Sequence, residues 1–264
     1  MKAMVVLPTY NEMSNLKRMV ESLLAQQSPL QILIVDDNSP DGTGKLADQL
    51  SQAYPDKVFV CHRPCKEGLG KAYLEGFRKA LDLGADFVIQ MDCDFSHPVS
   101  LIPSLLNSLE THDFALASRY ISGGGTQNWG FMRKLISRGG NFYARWVLNT
   151  PIKDLTGGFK AFRKEVVAFL LNCPLDSSGY SFQIETTSFA RAAGFQYHEI
   201  PFLFVDRVAG HSKMSKGIIV EAFLKTWNLR NKLKQVRQSS RKTLPIVSGV
   251  VLEQNHEIYS SDIA

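Results

Sequence analysis

Two aspartates one residue apart, Asp92 and Asp94, close a short apolar run from Phe87 to Met91. Alternate residues of an extended chain point the same way, so both carboxylates can reach one ligand. A hard divalent cation suits them, because Mg²⁺ is commonly held by one or two carboxylates and completes its shell with water and substrate phosphates. A lone Asp-x-Asp more often marks a strand end with solvated or helix-capping aspartates, so its meaning depends on its company. That company includes Pro8-Thr-Tyr-Asn-Glu12 and Asp36-Asp-Asn-Ser-Pro-Asp-Gly-Thr43. Tyr10 can stack on a nucleobase, while Glu12 or Asp37 can accept hydrogen bonds from base N–H groups or ribose hydroxyls. Taken singly, Glu12 reads as a helix N-terminal carboxylate and Asp36 as a cap. Gly68-Leu-Gly70 can admit a phosphate to the backbone, although it lacks the Gly-x-Gly-x-x-Gly spacing of a dinucleotide fingerprint.

The elements that must position these groups alternate. Strands are expected at Met4–Leu7, Ile32–Val35, Val58–Cys61, Phe87–Met91 and Phe114–Ala117. Helical spacing recurs between them, as in Leu16, Met19, Val20, Leu23 and Leu24. Strand and helix in steady succession predict an α/β fold of parallel strands with right-handed crossovers. Ligands of such sheets lie outside the carboxyl ends of the strands, which is where residues 8–12, 36–43 and 92–97 fall. A loop and strand are expected to begin over Asp154 to Phe162, helices near 163–171 and 182–193, and a final strand from Phe195 to Val205.

The 264 residues are 44% hydrophobic, enough for one large core or two modest ones, and the strand–helix alternation favours a single unit. Cysteines 61, 65, 93 and 173 show no framework spacing, so reduced thiols are expected. No signal peptide is expected, because the sequence starts almost on a strand. No apolar run reaches the roughly 18 residues of a membrane span. The formal charge of +5 is uneven: residues 1–212 hold 21 basic and 21 acidic side chains, 213–242 nine and one, and 243–264 only three acids. A basic segment behind a neutral body points to a polyanionic surface, membrane or nucleic acid. The body, 1–212, reads as a single domain, 213–242 as a basic C-terminal helix, and 243–264 as a poorly ordered tail. Trp129 to Leu148 contains no acid and puts Leu135, Phe142, Tyr143 and Trp146 on or near one helical face. It reads either as a helix lying in a membrane interface or as a core-facing helix with a solvated basic side.

Together with Gly68-Leu-Gly70, Asp92-Cys-Asp94 and Ser118-Arg-Tyr120, the two clusters at 8–12 and 36–43 resemble family 2 glycosyltransferases of the A-type fold. Asn128-Trp129, Arg133-Lys-Leu-Ile-Ser137, Asp154-Leu-Thr-Gly-Gly-Phe-Lys160 and Arg207-x-x-Gly-x-Ser-Lys213 narrow the likeness to dolichyl-phosphate (polyprenyl-phosphate) mannose synthases, over residues 3–235. The resemblance implies a mostly parallel central sheet with helices on both faces. It also implies transfer of mannose from GDP-mannose to a polyprenyl phosphate, with inversion and with Mg²⁺ or Mn²⁺. Carried over by position, Pro8, Tyr10, Glu12, Val35 and Asp37 hold the nucleoside, and Asp92, Cys93 and Asp94 border the diphosphate. Asp92, Asp94 and Ser96 form the metal set, Ser96 standing where some relatives carry Gln. Arg119 and Arg133 take the acceptor phosphate, and Arg207 and Lys213 close over the donor. The expected location is peripheral, on the cytoplasmic face of a membrane, with a membrane-anchoring partner protein as a further means of attachment.

Rival readings are a related transferase for another sugar nucleotide or a polysaccharide acceptor, a nucleotidyltransferase, and a basic nucleic-acid module. The Gln-x-x-Arg-Trp signature of polysaccharide synthases is absent, since Arg145-Trp146 lacks the preceding Gln. No aromatic–basic stripe or recognised motif supports nucleic acid as a partner.

Overall fold

A computed structural model of the chain describes residues 1–26, 29–175, 179–205 and 225–237. Strands β1 (Ala3–Thr9), β2 (Leu30–Asp36), β3 (Val58–His62) and β4 (Phe87–Gln90) alternate with helices α1 (Leu16–Leu24), α2 (Thr43–Ala53) and α3 (Leu69–Asp82). After α4 (Ile102–Ser108) come β5 (Phe114–Ser118), β6 (Gly125–Gln127), α5 (Phe131–Leu148), β7 (Lys160–Arg163), α6 (Lys164–Leu171), α7 (Tyr180–Ala192), β8 (Tyr197–Pro201) and β9 (Leu203–Val205). Residues 225–237 form a last helix, α8.

Seven strands make one sheet in the order β3-β2-β1-β4-β7-β5-β8, and β6 and β9 pair separately. Every pairing in the large sheet is parallel except those of β7, which runs antiparallel between β4 and β5. That reversal departs from the parallel arrangement expected of every strand: β7 follows α5 through the loop 149–159 and leads straight into α6. The expected strand over 195–205 is two strands in different sheets. Pro201 has no N–H to continue a ladder, and Phe202 turns inward, its N–H donating to Ser118 O at 3.2 Å.

Alternation along the buried strands builds a core on each sheet face. Met4 and Val6 join Leu33 and Val35 against α3, α5, α6, α7 and α8. Val5 and Leu7 join Ile32 and Ile34 against α1, α2 and α4. Helix α8 docks through Leu229 and Leu233, and Arg237 Nη2 donates to Leu148 O at the end of α5 (3.1 Å). No helix among the described residues is long and apolar enough to cross a membrane.

One polar knot lies inside this packing. Lys160 is fully buried, and its Nζ donates to Gln183 O (2.9 Å), Gln183 Oε1 (3.0 Å) and Thr186 Oγ1 (3.2 Å). Burial pulls the Lys160 amine from 10.5 down to about 7, against the opposing pull of Asp154. Above that value the folded chain has shed a proton that the unfolded chain keeps up to 10.5, so stability gains from Lys160 as pH rises through this window. Urea unfolding at about pH 7 and about pH 9.5 should therefore show a larger rise in stability for the wild type than for Lys160→Met. Equal rises would remove the assignment.

Candidate active site

The turns after β1, β2, β3 and β4 open on one edge of the sheet. Asn11 and Asn38 take left-handed backbone (φ 60° and 55°) as the chain leaves β1 and β2, a conformation that asparagine tolerates. Asp36 is buried and accepts from Thr9 Oγ1 (3.2 Å), Ser39 Oγ (2.6 Å) and Ser39 N (3.1 Å), joining the first two turns. Asp37 is buried beside it and pairs with Arg63, which also donates to Glu67 Oε2 at 2.9 Å. Burial raises the Asp37 carboxyl, and Arg63 only partly offsets this. Tyr10 lies at the rim with Lys66 Nζ 3.6 Å from its ring centroid. Glu12 receives the Asn15 amide (2.8 Å), while its own N–H donates to Thr43 Oγ1 (3.0 Å). Pro8 pairs with Val35 in register, and the Val35 side chain is wholly buried facing α3, which leaves its main chain as the part that can meet a ligand.

Past β4 the chain turns tightly. Phe95 adopts φ 61°, a strained conformation for a bulky residue that costs about 1–3 kcal/mol. That kink lets Ser96 N donate back to Asp94 Oδ1 at 3.0 Å. Ser96 is buried, so its evident work is to orient Asp94. Asp92 N donates to His97 Nδ1 (3.0 Å), and the His97 ring stacks on Phe159 with centroids 5.0 Å apart. Asp92 Oδ1 accepts from the Tyr73 hydroxyl (2.8 Å). The Cys93 side chain points inward; burial raises its thiol well above the usual range, and the charges of Glu12, Asp94 and Asp92 raise it further. Both aspartates are partly exposed. Two partly exposed aspartates, one braced by a phenol and one by a main-chain N–H, are a donor set that Mg²⁺ or Mn²⁺ accepts when phosphates complete the shell.

Arg119, just beyond β5, forms a second centre. Its Nε and Nη2 donate to the two oxygens of Asp154 (2.7 and 2.8 Å), its N–H to Asp154 Oδ2 (3.0 Å), and Nη2 also to Thr156 (2.7 Å). Asp154 is fully buried, which by itself raises its carboxyl; the Arg119 charge and hydrogen bonds outweigh this and hold it below 3.8. The loop carrying Asp154 is pinned from two sides. Glu199 on β8 accepts from Lys153 N (2.8 Å) and Asp154 N (3.1 Å), and Asn141 on α5 accepts from Leu155 N (2.9 Å). Trp129 gathers the two arginines: the Arg133 guanidinium lies 4.2 Å from its ring centroid and that of Arg119 5.7 Å. At these distances the cations are attracted by the ring.

The segment 154–159 ties both centres together, because Asp154 grips Arg119 while Phe159 stacks under His97. At Gly158 a Cβ would stand 3.4 Å from both His97 and Gln183, in ordinary van der Waals contact. Of the residues singled out in sequence, Pro8, Tyr10, Glu12, Val35, Asp37, Asp92, Cys93, Asp94 and Ser96 gather on the β1–β4 edge, and Arg119 and Arg133 around Trp129. Arg207 and Lys213 lie outside the described residues. Sequence reasoning missed Arg63, Tyr73 and the clamp role of Asp154. Only Tyr73 carried a signal: a phenol on the core face of α3, beside Ala72, Gly76 and Phe77, needs a buried partner.

The expected shared face of α5 is real but points outward. Leu135, Phe142 and Trp146 are exposed together with Met132 and Ile136, Tyr143 sits at the border, and the core receives Asn141, Ala144, Val147 and Leu148. The core-facing reading of that apolar set is thereby corrected.

Comparison with known proteins identifies the family. The model of the glycosyl transferase family 2 matches residues 4–171. The chain is 42% identical over 239 residues to polyprenol monophosphomannose synthase of Mycolicibacterium smegmatis, covering 89% of this chain and 90% of that protein. It is 38% identical over 239 residues to undecaprenyl-phosphate mannosyltransferase of Micrococcus luteus, covering 90% and 98%. Among solved structures, glucosyl-3-phosphoglycerate synthase from Mycobacterium tuberculosis, in a complex with Mn²⁺, uridine diphosphate and glucosyl-3-phosphoglycerate, superposes with a TM-score of 0.61 at 17% identity, over 87% of this chain and 79% of that one. The likeness in structure speaks for the A-type fold, and the likeness in sequence for descent. This chain belongs to glycosyl transferase family 2 and is a glycosyltransferase.

Proposed function

We propose that the enzyme transfers mannose from GDP-mannose to a polyprenyl phosphate, with inversion, at the cytoplasmic face of a membrane. The observation that carries this reading is the Arg119–Trp129–Arg133 cluster, whose Arg133 lies in the first turn of α5, the helix that bears the exposed apolar stripe. An acceptor with an anionic head and a hydrocarbon tail suits that juxtaposition, and the names of the two relatives point the same way.

A phosphate monoester has its second pKa near about 6 and is mostly ionised at neutral pH. The nucleophile therefore needs no general base, which agrees with a site whose buried histidine, His97, braces a main-chain N–H. Arg119 and Arg133 hold the acceptor phosphate in line with the anomeric carbon. Tyr10, Glu12, Asp37 and the main chain at Pro8 and Val35 receive the guanosine, and Arg207 and Lys213 cover the donor. Asp92 and Asp94, with Ser96 fixing the second, would hold Mg²⁺ or Mn²⁺, which when bound offsets the charge of the departing diphosphate. Cys93 contributes main chain at the same turn.

The test offers GDP-mannose, UDP-glucose and UDP-N-acetylglucosamine separately with a polyprenyl phosphate and follows label into chloroform. Label from GDP-mannose alone, abolished by chelator, is the expected result; label from a UDP-sugar instead would move the enzyme to a different donor class.

Attachment to the membrane would come from the α5 stripe and from basic side chains of α5 and α8, each contributing about 1 kcal/mol beside an anionic surface. Phe142 and Trp146 are 68% and 69% exposed, so changing them leaves the core intact. Phe142→Glu with Trp146→Glu should abolish flotation with anionic liposomes while the thermal midpoint stays put. Undiminished flotation would exclude α5 as the docking element.

A further inference from the structure

We propose that Tyr73 is a positioning residue for the donor end of the site, its buried phenol presenting the Asp92 carboxylate to a divalent cation. The inference rests on the reading of Asp92 and Asp94 as the metal-facing pair. The Tyr73 hydroxyl donates to Asp92 Oδ1 at 2.8 Å from a helix 19 residues earlier in the chain. Its ring has no exposed surface and lies parallel to Phe182 (centroids 6.0 Å apart, 1°) and against Phe77 (5.9 Å). Such a ring cannot swing aside to follow a mobile carboxylate.

The reach is set by Gly76, one turn farther along α3. A Cβ there would collide with Val6 and come within 3.0 Å of Val35, so glycine lets the helix lie close against β1 and β2. That approach brings Tyr73 to the turn beyond β4. From the other side His97 receives the Asp92 N–H, its ring held on Phe159. Asp92 is thus fixed at its main chain and at one carboxylate oxygen while remaining partly exposed. Partners of this kind orient metal-binding carboxylates, and losing one commonly weakens metal affinity about 10–100-fold. A phenol is suited to the task because, as a neutral donor, it steadies the carboxylate without cancelling its charge.

The experiment measures calorimetric binding of GDP with and without Mn²⁺ to wild type and Tyr73→Phe, alongside thermal melts. The Mn²⁺-dependent gain in GDP affinity should fall about tenfold in the variant, with GDP binding in the absence of metal and the melting midpoint nearly unchanged. A purely structural role would lower both kinds of binding together, and that outcome, or an unfolded variant, overturns the proposal. So does a variant that keeps the wild-type gain to within about twofold. If the wild type itself shows no Mn²⁺-dependent gain, the reading of the aspartate pair fails, and the role of Tyr73 with it.

Discussion

Asp94→Ala should lower kcat/KM by about a thousandfold, roughly 4 kcal/mol of transition-state stabilisation, at saturating Mn²⁺ and GDP-mannose. The carboxylate stands at the exposed end of the β4 turn, with Ser96 N on Oδ1 as its braced contact. Losing the Ser96 hydrogen bond costs about 1 kcal/mol of stability, which in a chain of this size lowers the melting midpoint by roughly 2–4 °C. The strained Phe95 backbone is held independently, its ring facing the Arg18 guanidinium at 5.1 Å and packed into the core below. The prediction is thus a large loss of activity on an almost intact fold. Activity within tenfold of wild type would remove Asp94 from the chemistry, and a collapse of the melt would make its role structural.

The second large effect belongs to Asp154. Asp154→Ala leaves the Arg119 guanidinium, itself only 9% exposed, without the bidentate partner that compensates it. Breaking one side of a buried ion pair costs about 3–5 kcal/mol, equivalent to a drop of roughly 10 °C in melting midpoint. Solvent screening does little here, because the carboxylate is wholly buried. Its folded pKa lies below 3.8, so the stabilisation is complete above 3.8 and fades as acid carries the pH down through the depressed value. The part of the stability gap between wild type and variant that comes from the Asp154 carboxylate should therefore shrink as the pH falls below 3.8. In activity, an Arg119 freed from its clamp loses its aim, and KM for the lipid acceptor should rise more than KM for the sugar donor. Denaturant titrations across pH and paired KM measurements check both halves; a melt within about 2 °C of wild type would contradict the first.

These predictions draw on contacts of different range, and the range explains how legible they were. The turns 8–12, 36–43 and 92–97 could be read directly because each is contiguous: an apolar strand stops, polar residues follow, and parallel topology brings such ends to one edge. The Ser96–Asp94 bond spans two residues, and its raw material is visible in the string Asp92-Cys-Asp-Phe-Ser-His97. The partners that make the site rigid were not visible. Arg63 meets Asp37 across 26 residues, Tyr73 meets Asp92 across 19, and Asp154 meets Arg119 across 35. Nothing local demands those pairings; they exist because β3, α3 and the 154–159 loop happen to converge there. The reversed direction of β7 was not legible for a related reason: four residues, Lys160 to Arg163, carry no mark of direction.

Helix α5 shows the same boundary from the other side. Periodicity established that Leu135, Phe142 and Trp146 share a face, but a period cannot say whether that face meets a core or a membrane. Packing excluded the core, since the sheet is already covered by Ala144, Val147 and Leu148 and the larger side chains are left outside. What the sequence by itself determined is the α/β alternation, the acidic edge at the strand ends and the family these imply, because all three are written in short-range order. Only the tertiary structure decided which buried groups brace Asp92, Asp37 and Arg119 and which way α5 faces, because those depend on side chains meeting across elements whose separation along the chain encodes no distance in space.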